Sequence, residues 1–247
     1  MDLGISSRRA IVAAGSAGLG LATARALTDE GVAVAICGRN EDRLAAAVAS
    51  LGPTAVGIVA DMSAPGDPLR FAAEAEDRLG GTIDIVVANA GGPPPGTPTT
   101  TDLDAYRTAL ELNFLSTVAL VQAVVPAMRT QRWGRVLAIT SIGARQPIAG
   151  LAASSAARSA VSSFIKTLSN EIAADNVTAN SIQPGMHATD RILSLHGSEN
   201  MVGGIPLGRL GDADDFGAAA AFLCSEQAGF ITGTSLLVDG GQASGLF

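Results

Sequence analysis

Residues 9–27 read RAIVAAGSAGLGLATARAL, and the reading of this stretch decides the fold. Residues 10–13 form the short apolar run of a buried parallel strand, Gly15, Gly18 and Gly20 bend the chain, and residues 19–27 are good helix formers. A strand that turns through glycines straight into a helix brings backbone N–H groups close to a pyrophosphate, with the positive end of the helix aimed at it. Ser16 and Leu19 stand among those glycines and belong to the same cradle. The spacing is G-x-x-G-x-G, whereas the common dinucleotide fingerprint is G-x-G-x-x-G, so the motif alone also fits an ordinary glycine-rich turn.

Working outward, residues 32–37 repeat the apolar run and stop at Gly38-Arg39-Asn40, where a helix carrying Leu44, Val48 and Leu51 begins. Residues 55–60 give a third strand closed by Asp61, then a helix over 67–79. Residues 83–88 give a fourth strand that runs into Asn89-Ala90-Gly91. Strands alternating with helices at this interval predict an α/β fold, a single Rossmann-like doubly wound parallel sheet with helices on both faces. Its ligand crevice lies outside the C-terminal ends of the strands. A fourth helix is expected over 103–128, with Leu110, Phe114, Val118, Val121, Val125 and Met128 as one stripe and a second apolar surface free to meet another subunit. Strands over 135–140, 177–182 and 236–239 complete a sheet of about seven. A fifth helix is expected over 154–174 and a last one over 212–224. Residues 186–208 lack periodicity and are expected to form a mobile substrate lid. The loop Gly92-Pro93-Pro94-Pro95-Gly96-Thr97-Pro98 is stiff, because each proline fixes φ and removes a donor. It either simply ends the fourth strand or walls a substrate pocket.

The 247 residues suit one large domain, 1–247, and only 16% of them are charged. A net charge of −7 with no Lys/Arg cluster argues against nucleic acid as a partner, which needs a basic face. Residues 112–128 carry no charge, yet they fall short of the ~20 residues that span a bilayer and include Asn113, Gln122 and Pro126, so no membrane is expected. Ser7-Arg8-Arg9 is only superficially like a twin-arginine export signal, since cleavage there would remove the glycine loop. Cys37 and Cys224 lack metal-ligand spacing and read as core thiols of a reduced, cytoplasmic protein, with no metal.

With these pieces placed, the chain resembles the short-chain dehydrogenase/reductase family over nearly its whole length, and within it the 3-oxoacyl-thioester reductase branch. Gly18-Leu19-Gly20, Asp61, Ala88-Asn89-Ala90-Gly91, Asn113, Ser141 and Asn180-Ser181-Ile182-Gln183-Pro184-Gly185 with Thr189 match the family's motifs in order and spacing. The resemblance implies a nicotinamide cofactor, with Asp61 at the adenine, Asn89 and Gly91 beside the nucleoside, and Pro184, Gly185 and Thr189 at the nicotinamide end. It also implies a homotetramer, or a homodimer, paired through the fourth and fifth helices. The family's first threonine and glycine fall here on Ala13 and Ala14, with Gly15 next door expected to restore the flexibility. An NAD-preferring site has an acid at the end of the second strand; Gly38 stands there, followed by Arg39, whose planar guanidinium can grip a 2′-phosphate. NADP(H) is therefore expected over NAD(H).

The family's catalytic Tyr-x-x-x-Lys falls on Ser154 and Arg158, thirteen and seventeen residues after Ser141. A serine hydroxyl is far less acidic than a phenol, and arginine stays protonated, so it binds an oxyanion or ribose without relaying a proton. His187, just past Pro184-Gly185, is either a substitute proton donor or a lid-hinge residue, and His196 lies inside the lid. Tyr106 reads as core. Arg145 and Gln146 are expected to line the pocket. Three functions stay open: an NADP(H)-dependent carbonyl/hydroxyl oxidoreductase with an atypical site formed by Ser141, Asn113, Ser154, Arg158 and His187; an NADP(H)-binding sensor or partner subunit without hydride transfer; and a lyase or isomerase on the same scaffold, as in halohydrin dehalogenases.

Overall fold

The computed structural model describes residues 2–195 and 202–246. Among them, seven strands form one parallel sheet in the order β3-β2-β1-β4-β5-β6-β7: β1 (Arg9–Val12), β2 (Ala33–Gly38), β3 (Ala55–Val59), β4 (Ile85–Ala88), β5 (Gly134–Ile139), β6 (Val177–Pro184) and β7 (Ser235–Val238). The helices are α1 (Gly18–Asp29), α2 (Glu41–Leu51), α3 (Asp67–Leu79), α4 (Leu103–Leu110), α5 (Ser116–Gln131), α6 (Ala152–Ile172), α7 (Asp190–Leu195) and α8 (Ala213–Leu223). Strand order reverses between β1 and β4, the switch point at which such sheets open a crevice. Val12 pairs with Ile36 on one side and Val87 on the other, so Ala13, Gly38 and Asn89 emerge together at that edge.

Alternation along the strands divides the core. Ile11, Ala35, Val86 and Ala138 pack against Phe71, Val124 and Ile165 of α3, α5 and α6. Val12, Ile36, Val87 and Leu137 pack against Leu27 of α1 and Phe216 and Ala220 of α8. Both faces being covered explains why the strands read as unbroken apolar runs. Asn40, Asp102 and Asp212 cap α2, α4 and α8 through their side chains, and a left-handed Gly80 ends α3. Arg8 and Arg135 both lie over the ring of Trp133, at 3.7 and 4.4 Å from its centre. Arg8 also pairs with Asp84 and Glu226, which ties the Arg8-Arg9 pair into the fold.

The long fourth helix departs from expectation. A π turn over Glu111–Leu115 separates α4 from α5, and its extra residue rotates the face presented to the sheet. Val121, Val125 and Met128 are buried as expected, joined by Leu120 and Val124, while Leu110 is exposed. By length and composition the run Leu103–Gln131 is apolar enough to cross a membrane, but these buried residues seat it in the protein core.

The segment over 186–208 also differs from a featureless loop, since it holds α7 and a 3₁₀ turn over Val202–Gly204. His196 lies outside the described residues. The neck of the segment is closed by two backbone bonds, Gly211 N–H to Met186 O and Ala188 N–H to Gly211 O, both 2.9 Å.

Candidate functional site

Past the end of β1, Ala13 N–H bonds to Val87 O at 3.0 Å and Gly15 N–H to Cys37 O at 2.9 Å, pinning the bend between β4 and β2. Ala14 itself takes the left-handed conformation, φ +46°. The expected rescue by Gly15 is thus corrected: Gly15 has a different duty, for a Cβ on it would stand 2.8 Å from Ile36 Cγ2. A Cβ on Gly20 would stand 2.6 Å from both Ala14 O and Asn89 Nδ2. That Asn89 amide donates to Ala13 O and Ala14 O at 3.2 and 3.3 Å, clamping the loop. Gly18 is left-handed at φ +55° and faces Thr189. Ala17 gives α1 no side-chain cap, so first-turn N–H groups are available to an anion.

Beside this cradle, a Cβ on Gly38 would lie 2.5 Å from Ser16 Oγ. A side chain at position 38 would therefore need Ser16 to turn away, and with glycine there the end of β2 carries no carboxylate. Arg39 is 76% exposed, with Asp61 Oδ2 3.7 Å from its Nη1. Burial pushes the Asp61 carboxyl up, but hydrogen bonds from Ser63 N–H and Oγ and the nearby Arg39 guanidinium outweigh it and leave Asp61 below the usual carboxylate range.

At the chemical end, Ser141 follows β5 and its Oγ accepts from Gly143 N–H at 3.0 Å. Asn113 sits in the π turn, 4% exposed. Its Nδ2 donates to Ala109 O, while its buried Oδ1 has no partner among the described residues. Ser154 is half-buried in the first turn of α6. One turn on, Arg158 donates from Nη1 to Ile139 O and Thr140 O at 3.1 and 2.7 Å and from Nη2 to Ala90 O at 3.4 Å. Asn89, Asn113, Thr140 and Arg158 line one small cavity. Lys166 lies elsewhere, against Gly233. Tyr106 packs on Ala109, Ala153 and Ala157, as a core residue does.

The motif over residues 180–185 ends β6 at Pro184. Gly185 N–H bonds to Val238 O, and a Cβ on Gly185 would lie 2.8 Å from Asp239 Cα. His187 is 3% exposed, stacks edge-on with Phe216 and presses on Gly211, where a Cβ would lie 2.5 Å from His187 Cδ2. Burial holds its imidazole below the usual range, against the opposing pull of Gly185 O and of Asp212, Asp215 and Asp239. It lines a second cavity with Ile205, Leu207 and Arg209, which shares no residue with the Arg158 cavity. Arg145 reaches Ser235 O, and Gln146 Oε1 accepts from Ser244 N–H and Oγ. Sequence reading missed these tail contacts, as it missed Gln242, whose Oε1 accepts from Met186 N–H at 3.3 Å. It also missed Gln183, fully buried with both amide atoms unpartnered among the described residues. Only a polar residue at an inward strand position hints at the last of these. The proline loop is stitched to the start of α6, with Gly96 N–H to Gly150 O at 2.7 Å and Ala152 N–H to Gly96 O at 3.1 Å.

A glycine-rich bend at a switch point, with polar groups at the strand ends beyond it, defines a Rossmann-like α/β scaffold whose crevice suits a dinucleotide. A family model described as enoyl-(acyl carrier protein) reductase matches residues 13–243. Dehydrogenase/reductase SDR family member 4 of Oryctolagus cuniculus is 33% identical over 250 residues, covering 98% of this chain and 96% of that protein. The 3-oxoacyl-[acyl-carrier-protein] reductase FabG of Haemophilus influenzae is 32% identical over 234 residues, covering 94% and 96%. L-sorbose reductase from Gluconobacter frateurii, solved with NADPH and L-sorbose, superposes with a TM-score of 0.93 at 28% identity over the whole of both chains. The chain belongs to the short-chain dehydrogenase/reductase family and is a short-chain oxidoreductase by descent.

Proposed function

We propose that this protein is an NADP(H)-dependent oxidoreductase acting on a small carbonyl or hydroxyl substrate. The observation that carries the cofactor choice is the corner formed by Gly38, Ser16 and Arg39, which holds no acid to bind a ribose diol and presents an exposed guanidinium instead. NADPH in the solved L-sorbose reductase and the actinorhodin ketoreductase supports the same choice. The glycine cradle fits a pyrophosphate: Gly15, Gly18 and Gly20 leave the space, and Ser16, Leu19 and Asn89 shape it. Pro184, Gly185 and Thr189 hold the nicotinamide end, Asp61 and Gly91 the nucleoside end. The bound nucleotide supplies the hydride. Ser141 orients the carbonyl, and Asn113 Oδ1, without a partner among the described residues, accepts from solvent that supplies the proton. Ser154 offers no acidic phenol, so the chemical step lacks a factor of ~10²–10⁴ that a positioned general acid contributes. His187 serves as a hinge wedge, since its ring is spent on Phe216 and Gly211.

Calorimetric titration with NADPH and NADH tests the reading. Micromolar or tighter NADPH and much weaker NADH are expected, and Arg39→Ala should collapse the ratio about tenfold or more, the value of one charge-assisted phosphate contact. Failure of both nucleotides to bind would end the proposal. A second reading is favoured by one observation: Arg158 spends its guanidinium on main-chain carbonyls. In that reading the protein binds NADP(H) as a sensor or partner subunit without hydride transfer, and any turnover of a carbonyl substrate by the wild type excludes it. A cytoplasmic setting belongs to the same proposal, because buried, unbridged thiols such as Cys37 and Cys224 suit a reducing compartment.

A further inference from the structure

Past the last residues that β4 and β5 share, Ala88 and Ala138, the β4 chain turns away through Asn89-Ala90-Gly91 into the proline loop. The carbonyls of Ile139 and Thr140 lie beyond that last pair, and buried carbonyls need donors. Arg158 reaches both from Nη1 and takes Ala90 O with Nη2. A planar guanidinium serves several acceptors in fixed directions, while an ammonium on a flexible stem meets them as a point charge. The three carbonyls matter for what adjoins them. Ala90 follows Asn89, whose amide clamps Ala13 O and Ala14 O of the glycine loop. Thr140 precedes Ser141, whose Oγ takes the Gly143 N–H.

We propose that Arg158 is a positioning residue that closes the sheet where β4 departs, holding Asn89 of the nucleotide half and Ser141 of the chemical half in one frame through its planar fork. Its charge is secondary to its shape. This deepens the oxidoreductase reading but depends on it only for the nucleotide measurement below.

The test compares Arg158→Lys, which keeps the charge and loses the fork, with Arg158→Met, which loses both. The readout is hydrogen exchange at the Gly143 amide, with the Leu137 and Ala179 amides of β5 and β6 as reference and Ser141→Ala marking the rate with the bond gone. Both variants are expected to speed Gly143 exchange by about tenfold, the scale of one lost hydrogen bond, with the reference amides unmoved. Both should weaken NADPH binding alike. The proposal is overturned if Lys keeps wild-type protection at Gly143, because charge would then suffice. It is equally overturned if reference and Gly143 amides accelerate together, which would make Arg158 a general stabiliser. Should Arg158→Met not fold, Arg158→Lys decides alone. If the wild type binds no NADPH, the cofactor reading falls while the Gly143 result still judges this one.

Discussion

Ala14 holds a left-handed backbone, φ +46°, at the tightest point of the glycine loop. An L-residue there costs roughly 1–2 kcal/mol, and glycine returns roughly 0.5–1 of that to the unfolded chain as entropy. Ala14→Gly is therefore expected to stabilise the protein by up to about 1 kcal/mol, read as a melting temperature about 2–4 °C higher. Nucleotide affinity should stay within about twofold, because Asn89 clamps the carbonyls and not the side chain. At the other end of the proposed site, the count from Ser141 puts Ser154 where the resemblance expects a phenol. Ser154→Tyr, made with Arg158 left in place, is expected to raise single-turnover hydride transfer to a carbonyl substrate by ~10²–10⁴. Stopped-flow absorbance of NADPH checks it, and an unchanged rate would show that the missing acid does not limit this site. The strand, bend and helix of residues 9–27 were legible because glycines after a short apolar run turn the chain into a helix, while the bend's service to a nucleotide belongs to the proposal. The engagement of Arg158 with three carbonyls was not, since main-chain acceptors leave no mark in a sequence.

The neck beside β6 and α8 is where an element-scale device resides. Gly211 closes the neck with two backbone bonds, and the His187 ring fills the space a Cβ would need. Gly211→Ala should cost about 1–3 kcal/mol by overpacking, seen as a lower urea midpoint. His187 gives the neck a pH dependence with a definite sign. Its folded pKa lies below the ordinary value of 6.5, so the unfolded chain takes up a proton first as pH falls. Stability is full above about pH 6.5 and declines as pH drops from there toward the folded value. Asp61 and Asp67 act lower, their stabilisation being lost only as pH falls below 3.8. Urea midpoints at pH 7.5 and 5.5 should differ in the wild type and much less in His187→Leu. Sequence reading located β6 and α8 to within a few residues but missed α7 inside 186–208 and, in the long helix elsewhere, the π turn, because one inserted residue leaves the apolar count unchanged.

For the whole molecule, acidic charge and scattered basic residues match a small-molecule enzyme scaffold, and the remaining question is assembly. Leu103 is 70% exposed, and Leu110 and Leu115 are exposed with it along α4 and the π turn. Exposed leucines on one long helix are the kind of patch that self-association covers. Sedimentation velocity is expected to give a tetramer, or a dimer, and Leu110→Arg with Leu115→Arg to shift it toward monomer. A wild-type monomer would remove that helix as an interface.

Sequence alone determined the sheet and its crevice, because apolar runs, helix formers and glycines at set intervals allow few alternative packings. Counting from Ser141 also gave the expectation that Ser154 and Arg158 stand where the resembled family carries a phenol and an ammonium. Only tertiary structure decided what those residues touch: that Gly38 yields its space to Ser16, that His187 packs on Phe216, and that Arg158 serves three carbonyls. Such contacts join positions far apart in the chain, and their geometry is fixed by how β4, β5 and α6 converge, which no local pattern encodes.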